Sequence, residues 1–283
     1  MNKFVTTTDT LYNSKAKKEI VIVHISDIHF SSKIKPIMLD KLQAYILNME
    51  PDYLMITGDT LDKPSITSDK KKIEELISFL TSTAKKVKIF ISIGNHDVMT
   101  NESFQFFKDL NKLDNIYVLN NTSYQDEFIY VTGFTPSNDY YYNITGTESV
   151  DILLENFDNH PEIIKNLPKD LPKVALIHSP IRLSDDRVLS KLHEYDLILC
   201  GHMHNGLVPK WLYFIFRGNL GFVGPNNRLF PRIAKGKIVK NGQTIIINGA
   251  ITKLSKQSGI FFSNINFIYN KSVNKIIIKR KEE

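Results

Sequence analysis

Ile20-Val21-Ile22-Val23-His24-Ile25-Ser26-Asp27-Ile28-His29 is a β-branched run that ends abruptly at a carboxylate and an imidazole. Branched side chains pack well on a pleated surface, so the run predicts a buried strand. The same grammar recurs four more times. Tyr53 to Thr57 runs into Gly58-Asp59-Thr60-Leu61-Asp62, and Val87 to Ile93 into Gly94-Asn95-His96-Asp97. Val174 to Ile177 ends at His178-Ser179-Pro180, and Leu197 to Leu199 at Gly201-His202-Met203-His204. Five of the eight histidines fall at these strand ends, a placement that chance does not readily produce. In open α/β sheets the carboxyl ends of the strands face one crevice, where ligands bind.

Between the strands lie stretches with helical apolar spacing, Met38 to Met49 and Lys70 to Ala84. Each strand-to-strand step is near the roughly 30 residues of a βαβ unit, which predicts parallel pairing with right-handed crossovers. Ile116 to Leu119 and Phe128 to Thr132 read as further strands, and the tyrosine-rich Ser137 to Thr147 as a loop. A helix is expected around Asp186 to His193. From about 205 to 243 the chain is rich in glycine, proline and basic residues with little periodicity, and loops of that length usually serve a function. Thr244 to Ile247, Ile260 to Ile268 and Val273 to Lys279 close the chain as strands. No internal repeat or low-complexity linker divides it, so residues 1–283 are expected to form one domain with a core over about 20–270.

Composition narrows the class. With 283 residues and 42% hydrophobic residues, a sizeable core needs no disulfides, and the lone Cys200 excludes any within the chain. A formal charge of +6, with a pI of about 9.1, favours anionic partners. The basic residues are scattered rather than gathered in one stripe, and Lys279-Arg280-Lys281 is followed at once by Glu282-Glu283, so nucleic acid is not the expected partner. The longest apolar cluster, Trp211-Leu212-Tyr213-Phe214-Ile215-Phe216, falls far short of the roughly 20 residues of a membrane span but is long enough to touch a bilayer.

The polar strand ends form a donor set of carboxylates, an amide and imidazoles without thiolate, which suits divalent or trivalent first-row ions. In extended chain, residues two apart face the same side, so Asp27 with His29, and His202 with His204, can each aim at one centre. Asp27, His29, Asp59, Asn95, His178, His202 and His204 are too many for one tetrahedral ion and fit two ions sharing a carboxylate. A loop-capping role without metal is the bland alternative for Asp27, Asp59, Asn95 and His202. Asp62 fits a loop cap equally well, His24 a packed core position, and His160 and His193 the surface.

Taken together and in this order, the five blocks over residues 20 to 205 resemble the calcineurin-like metallophosphoesterases. The resemblance implies a four-layer α-β-β-α sandwich of mixed sheets around a dinuclear centre of manganese, iron or zinc. It implies that Asp27, His29, Asp59 and His204 hold one ion, and that Asp59 bridges to a second held by Asn95, His178 and His202. His96 would stand beside the leaving group as general acid, positioned by Asp97. Two ions about 3.5–4 Å apart activate a nucleophile and neutralise phosphoryl charge. The expected activity is therefore hydrolysis of a phosphoester or pyrophosphate.

The order Gly201 to Val208, then the aromatic cluster, then Arg228-Leu229-Phe230-Pro231-Arg232, is similar to a bacterial membrane-associated subgroup of that family. One of its members cleaves a lipid-linked pyrophosphate. The subgroup carries glycine where this chain has Asn205. Its members often bear a membrane helix ahead of the first strand, so an anchor upstream of this sequence is compatible with the reading. The expected location is cytoplasmic or membrane-associated, with a lipid-linked substrate and peripheral membrane contact. The alternatives are a cyclic-nucleotide or nucleotide phosphodiesterase and a non-catalytic scaffold; no protein partner is inferred.

Overall fold

The computed structural model describes residues 3–97, 101–142, 148–225, 228–252 and 270–281. Strands β1 (Phe4–Asn13), β2 (Ile20–Ile25), β3 (Tyr53–Thr57), β4 (Lys88–Ser92), β5 (Ile116–Leu119) and β12 (Lys271–Arg280) make one sheet, in the order β1-β12-β2-β3-β4-β5. Strands β6 (Thr122–Gln125), β7 (Tyr130–Phe134), β8 (Lys173–Ile177), β9 (Leu197–Cys200), β10 (Gly236–Lys240) and β11 (Gln243–Ile247) make the other, in the order β10-β11-β9-β8-β7-β6. The central pairings β2–β3, β3–β4, β7–β8 and β8–β9 are parallel, as the βαβ spacing predicts. Antiparallel pairs at β12–β2, β6–β7 and β10–β11 make both sheets mixed.

Three apolar clusters divide the four layers. Helices α1 (Pro36–Leu47), α2 (Lys70–Ala84) and α3 (Asn101–Leu110) cover the outer face of the first sheet. α1 starts with Pro36 at its first turn and buries Leu39, Leu42 and Ile46 along one stripe. α2 is capped by Asp69, whose carboxylate accepts the Lys72 N–H at 3.2 Å. Helices α4 (Asp139–Tyr142), α5 (Glu148–Asn159) and α6 (Asp186–Lys191) cover the second sheet, and a third cluster fills the gap between the sheets.

Several expectations need correction. The tyrosine-rich stretch is not wholly a loop, because Tyr140 and Tyr141 are large apolar rings that bury in the helical turn α4. α3 and α5, and the edge strand β1, carry no expectation from the sequence; β1 is fixed by its parallel register with β12, more than 250 residues away in the chain (Phe4 opposite Lys271). The long basic segment includes β10, paired to β11 in a hairpin turned at Asn241-Gly242, both in left-handed conformation. The strand expected at Ile260 to Ile268 lies outside the described residues.

Phe90 sits fully buried between the sheets, 5.3 Å from the Tyr117 ring and 5.0 Å from Tyr124. Phe90→Ala is expected to lower unfolding free energy by about 3–5 kcal/mol, because the two sheets cannot collapse onto the hole. Urea unfolding measures it, and a loss under about 1 kcal/mol would show the seam to be plastic.

Candidate metal centre

The polar strand ends meet at one end of the seam between the two sheets. Past the last ladder residue, the segments after β2 and β3 stay zipped: His29 N–H donates to the Asp59 carbonyl at 2.9 Å and Phe30 N–H to the Thr60 carbonyl at 2.8 Å. On the other sheet, Gly201 N–H donates to the His178 carbonyl at 2.8 Å. The sheets are joined directly, because His202 N–H donates to Asp27 Oδ2 at 2.9 Å. Two glycines make the approach possible. A Cβ on Gly201 would lie 1.6 Å from Ser26 Oγ, and one on Gly58, whose φ is +73°, would lie 2.6 Å from His178 Nδ1.

Asp27, His29, Asp59, His202 and His204 all have positive φ, between 46° and 67°. Non-glycine residues rarely adopt this left-handed conformation, and it is retained where surrounding structure over-determines it, often at functional sites. It corrects the extended-chain picture of the two alternating motifs. Asp27 and His29 do share one group, with His204, but His202 turns the other way and joins Asp59 and His178. The ligand atoms within each group lie within 4.8 Å of one another. A third group, His29 with Asp62 and His96, sits on the outer side of the first.

Several of these atoms are buried without a hydrogen-bond partner: Asp27 Oδ1, His29 Nε2, Asn95 Oδ1 and His202 Nε2. Buried polar atoms are almost always satisfied, so the unsatisfied Asp27 Oδ1 and His29 Nε2, 3.7 Å apart in the first group, fit the donor set of a cation. Their other atoms are pinned. Asp27 Oδ2 accepts from Ser26 Oγ at 2.5 Å as well as from His202 N–H. Asp59 Oδ1 accepts the His96 N–H at 2.8 Å, which leaves Oδ2 facing both groups, 3.2 Å from His178 Nε2 and 3.7 Å from His29 Nε2. His178 Nδ1 sits 2.7 Å from the Thr57 carbonyl, so that nitrogen carries the proton donated there and Nε2 points inward. Ser26 and the Thr57 carbonyl thus belong to the site, although only their position beside the motifs hinted at it.

The electrostatics report a place short of positive charge. Burial pushes the Asp59 carboxyl up, but the His178 ring outweighs it and holds Asp59 well below the usual carboxylate range. Burial likewise opposes ionisation of Asp27, and the His204 and His29 rings overcome it. His178 pays the burial cost yet is lifted to about 9 by Asp59. His202, buried and next to His178, is pushed down to about 3.

Asp97 is where the site departs from expectation. Its carboxylate accepts the Leu61 N–H and the Gly94 N–H, both at 2.9 Å, so it anchors the two loops. The His96 ring is oriented instead by the Asp62 carbonyl, 2.7 Å from Nδ1. Burial and the nearby Asp59 charge push the Asp97 carboxyl up to about 7. Tyr141, from the stretch read as a loop, packs its ring 5.6 Å from that of His202. His24 is fully buried, 2.8 Å from Thr57 Oγ1, as a core position requires.

A family profile, the calcineurin-like phosphoesterases, matches residues 20–206, the span that carries all five strand ends. The chain belongs to this family. Its relatives include an uncharacterized metallophosphoesterase of Campylobacter jejuni, 27% identical over 209 residues, which cover 73% of this chain and 50% of that protein. The chain thus spans about half the length of that relative. A protein of Vesicomyosocius okutanii named as a probable cyclic nucleotide phosphodiesterase is 30% identical over 196 residues, 67% of this chain and 78% of its own length. A UDP-2,3-diacylglucosamine pyrophosphatase of Chlamydia muridarum is 33% identical over 79 residues, 28% of this chain and 23% of its own. In this chain Asn205 holds a φ of 58°, a left-handed conformation that asparagine tolerates better than most residues.

Proton linkage gives a test. A cation taking His178 Nε2 displaces a proton that the ring keeps to about pH 9, against 6.5 for an ordinary imidazole. Between those values uptake releases a proton, so affinity rises with pH by about tenfold per unit. Calorimetry of manganese binding across that range measures it, and pH-independent uptake would contradict the arrangement.

Proposed function

We propose that residues 1–283 form one domain, a dinuclear metal-dependent hydrolase of a phosphoester or pyrophosphate whose substrate is lipid-linked and met at a membrane surface. The observation that carries the catalytic part is Asp59 Oδ2, buried between His178 Nε2 at 3.2 Å and His29 Nε2 at 3.7 Å and so shared by the two groups. One ion would be held by Asp27, His29, Asp59 and His204, and a second by Asp59, Asn95, His178 and His202. The mixed oxygen and nitrogen donors suit manganese, iron or zinc. When bound, such a pair supplies nucleophile activation and charge neutralisation for phosphoryl transfer.

The chain's own residues do the rest. Asp59, with one oxygen fixed by the His96 N–H, presents the other to both groups. The His96 ring is half-buried at the rim, with Nδ1–H held by the Asp62 carbonyl. Its Nε2 is the atom that hands a proton to the departing oxygen, a role worth about 10²–10⁴-fold. His96→Ala should keep both ions while slowing turnover of an ester with a poor leaving group by about that factor. Metal analysis together with turnover of an alkyl and a p-nitrophenyl ester checks this; full turnover of the alkyl ester would remove the acid role.

The substrate reading rests on the segment after His204. Six of the eleven large apolar side chains exposed among the described residues fall between positions 211 and 230, with Trp211 at 59% and Phe214 at 67%. Only Phe216 of the aromatic cluster turns inward. No acidic residue occurs between Asp196 and Glu282, and residues 205–243 carry seven lysines and arginines. Apolar rings beside Arg217, Arg228 and Arg232, none of them ion-paired to a carboxylate among the described residues, suit an anionic membrane interface. No described helix is long and apolar enough to cross a membrane. The pyrophosphatase of Chlamydia muridarum favours a lipid-linked anhydride, whereas the Vesicomyosocius okutanii relative favours a cyclic nucleotide as the second reading. Trp211→Ser/Phe214→Ser is expected to abolish sedimentation with phosphatidylcholine vesicles. Unchanged sedimentation would remove the membrane argument, and turnover of a cyclic nucleotide but no pyrophosphate would select the second reading.

A further inference from the structure

Beside the exposed rings lies a groove of about 300 Å³ that the catalytic reading does not use. One wall follows directly from His178: Pro180, Ile181 and Arg182. The opposite wall is Arg228, Phe230 and Arg232, and the floor includes Met203, the residue between His202 and His204. The groove therefore rests on the two loops that carry three of the candidate ligands. Its lining contains three arginines and no carboxylate.

The arginines are not equivalent. Arg182 has a left-handed backbone, φ 72°, and its Nε donates to the buried Ser149 Oγ at 2.8 Å, so its guanidinium is fixed in place. Arg228 and Arg232 are exposed, and no ion pair joins them to a carboxylate among the described residues. Between them in sequence, Leu229 and Phe230 are exposed at 61% and 53% and stand with the aromatic rings. The Phe230 ring stacks at 6.1 Å on Phe216, the one ring of the cluster that is buried. Phe230 thus joins the groove to the aromatic cluster, and Met203 joins it to the loop that carries His202 and His204.

We propose that this groove seats the phosphate of an anionic lipid headgroup when the apolar face meets the bilayer. The inference rests on the membrane reading above and adds a specific ligand to it. Guanidinium forks match phosphate oxygens in pairs, and Phe230 and Leu229 beside them meet the acyl boundary just beneath a headgroup. A headgroup held there aligns the metal centre with the lipid surface, so a lipid-linked substrate reaches it without leaving the interface.

The test is co-sedimentation of the manganese-loaded protein with phosphatidylcholine vesicles, with and without about one-fifth phosphatidylglycerol. Phosphatidylglycerol is expected to tighten binding, and R228Q/R232Q to lose about thirtyfold of the gain. Both side chains are exposed, so the variant keeps the fold, which its melting temperature checks. K70Q/K71Q removes the same charge at exposed positions outside the groove and should keep the gain. Equal losses in the two double variants would mean diffuse attraction and overturn the proposal, as would a gain that survives R228Q/R232Q. A rise in melting temperature with inorganic phosphate that R228Q/R232Q removes, without any phosphatidylglycerol gain, would identify a free anion as the ligand and overturn the lipid assignment. Binding of the native sequence to phosphatidylcholine without any phosphatidylglycerol gain overturns the groove alone. No binding to either vesicle removes the membrane reading and the groove's lipid together. Turnover of bis(p-nitrophenyl) phosphate by the same preparation reports separately on the phosphoesterase reading.

Discussion

Two buried carboxylates, Asp27 and Asp59, set the terms for everything around them. Neither is more than 2% exposed, and an isolated buried charge is among the most costly features a protein can carry. The chain meets that cost by surrounding both with donors. Each keeps one oxygen on backbone N–H groups, Asp27 on His202 and Asp59 on His96. The other oxygen of each faces imidazoles rather than a lysine or arginine. Imidazoles can shed their protons to a metal, and a fixed ammonium cannot. The site is thus charged in a way that leaves room for exchangeable cations.

That constraint explains the architecture better than core packing alone does. Asp27 and Asp59 come from the first sheet, His178 and His202 from the second, and the contact of Gly58 with His178 and of Gly201 with Ser26 allows no side chain between them. The sandwich interior is filled with apolar residues from Ile20 to Ile278, and the buried carboxylates Asp27, Asp59 and Asp97 gather just past the ends of β2, β3 and β4. Left-handed residues at the strand ends turn the chain sharply enough to send His202 and His204 to neighbouring groups, where a regular strand would aim both at one face. Backbone strain, which folding alone would avoid, is concentrated where the donors converge.

Much of this was legible in the sequence, because a buried parallel strand is a continuous apolar run and its end is marked by the first polar residue. Tyr53 to Thr57 and Val174 to Ile177 could be read that way almost to the residue. The convergence of His202 and His204 was legible only in part. Their alternation suggested a common target, while the left-handed turn that sends them to neighbouring groups has no signature in residue type. Asp97 was ambiguous for a related reason, since a carboxylate after His96 can orient the ring or tie the loop, and only the Leu61 and Gly94 N–H positions distinguish the two. The edge strand β1 was hidden because its partner lies at the far end of the chain. Exposure of Trp211 and Phe214 could not be read at all, as the same residues would serve equally well as a small buried cluster.

Anomalous diffraction from a crystal soaked in manganese tests the central claim most directly. Two peaks about 3.5–4 Å apart, one against Asp27, His29 and His204 and the other against Asn95, His178 and His202, with Asp59 between them, are the predicted result. A correctly folded crystal that shows no peak at the seam, or manganese only on surface carboxylates, would contradict it.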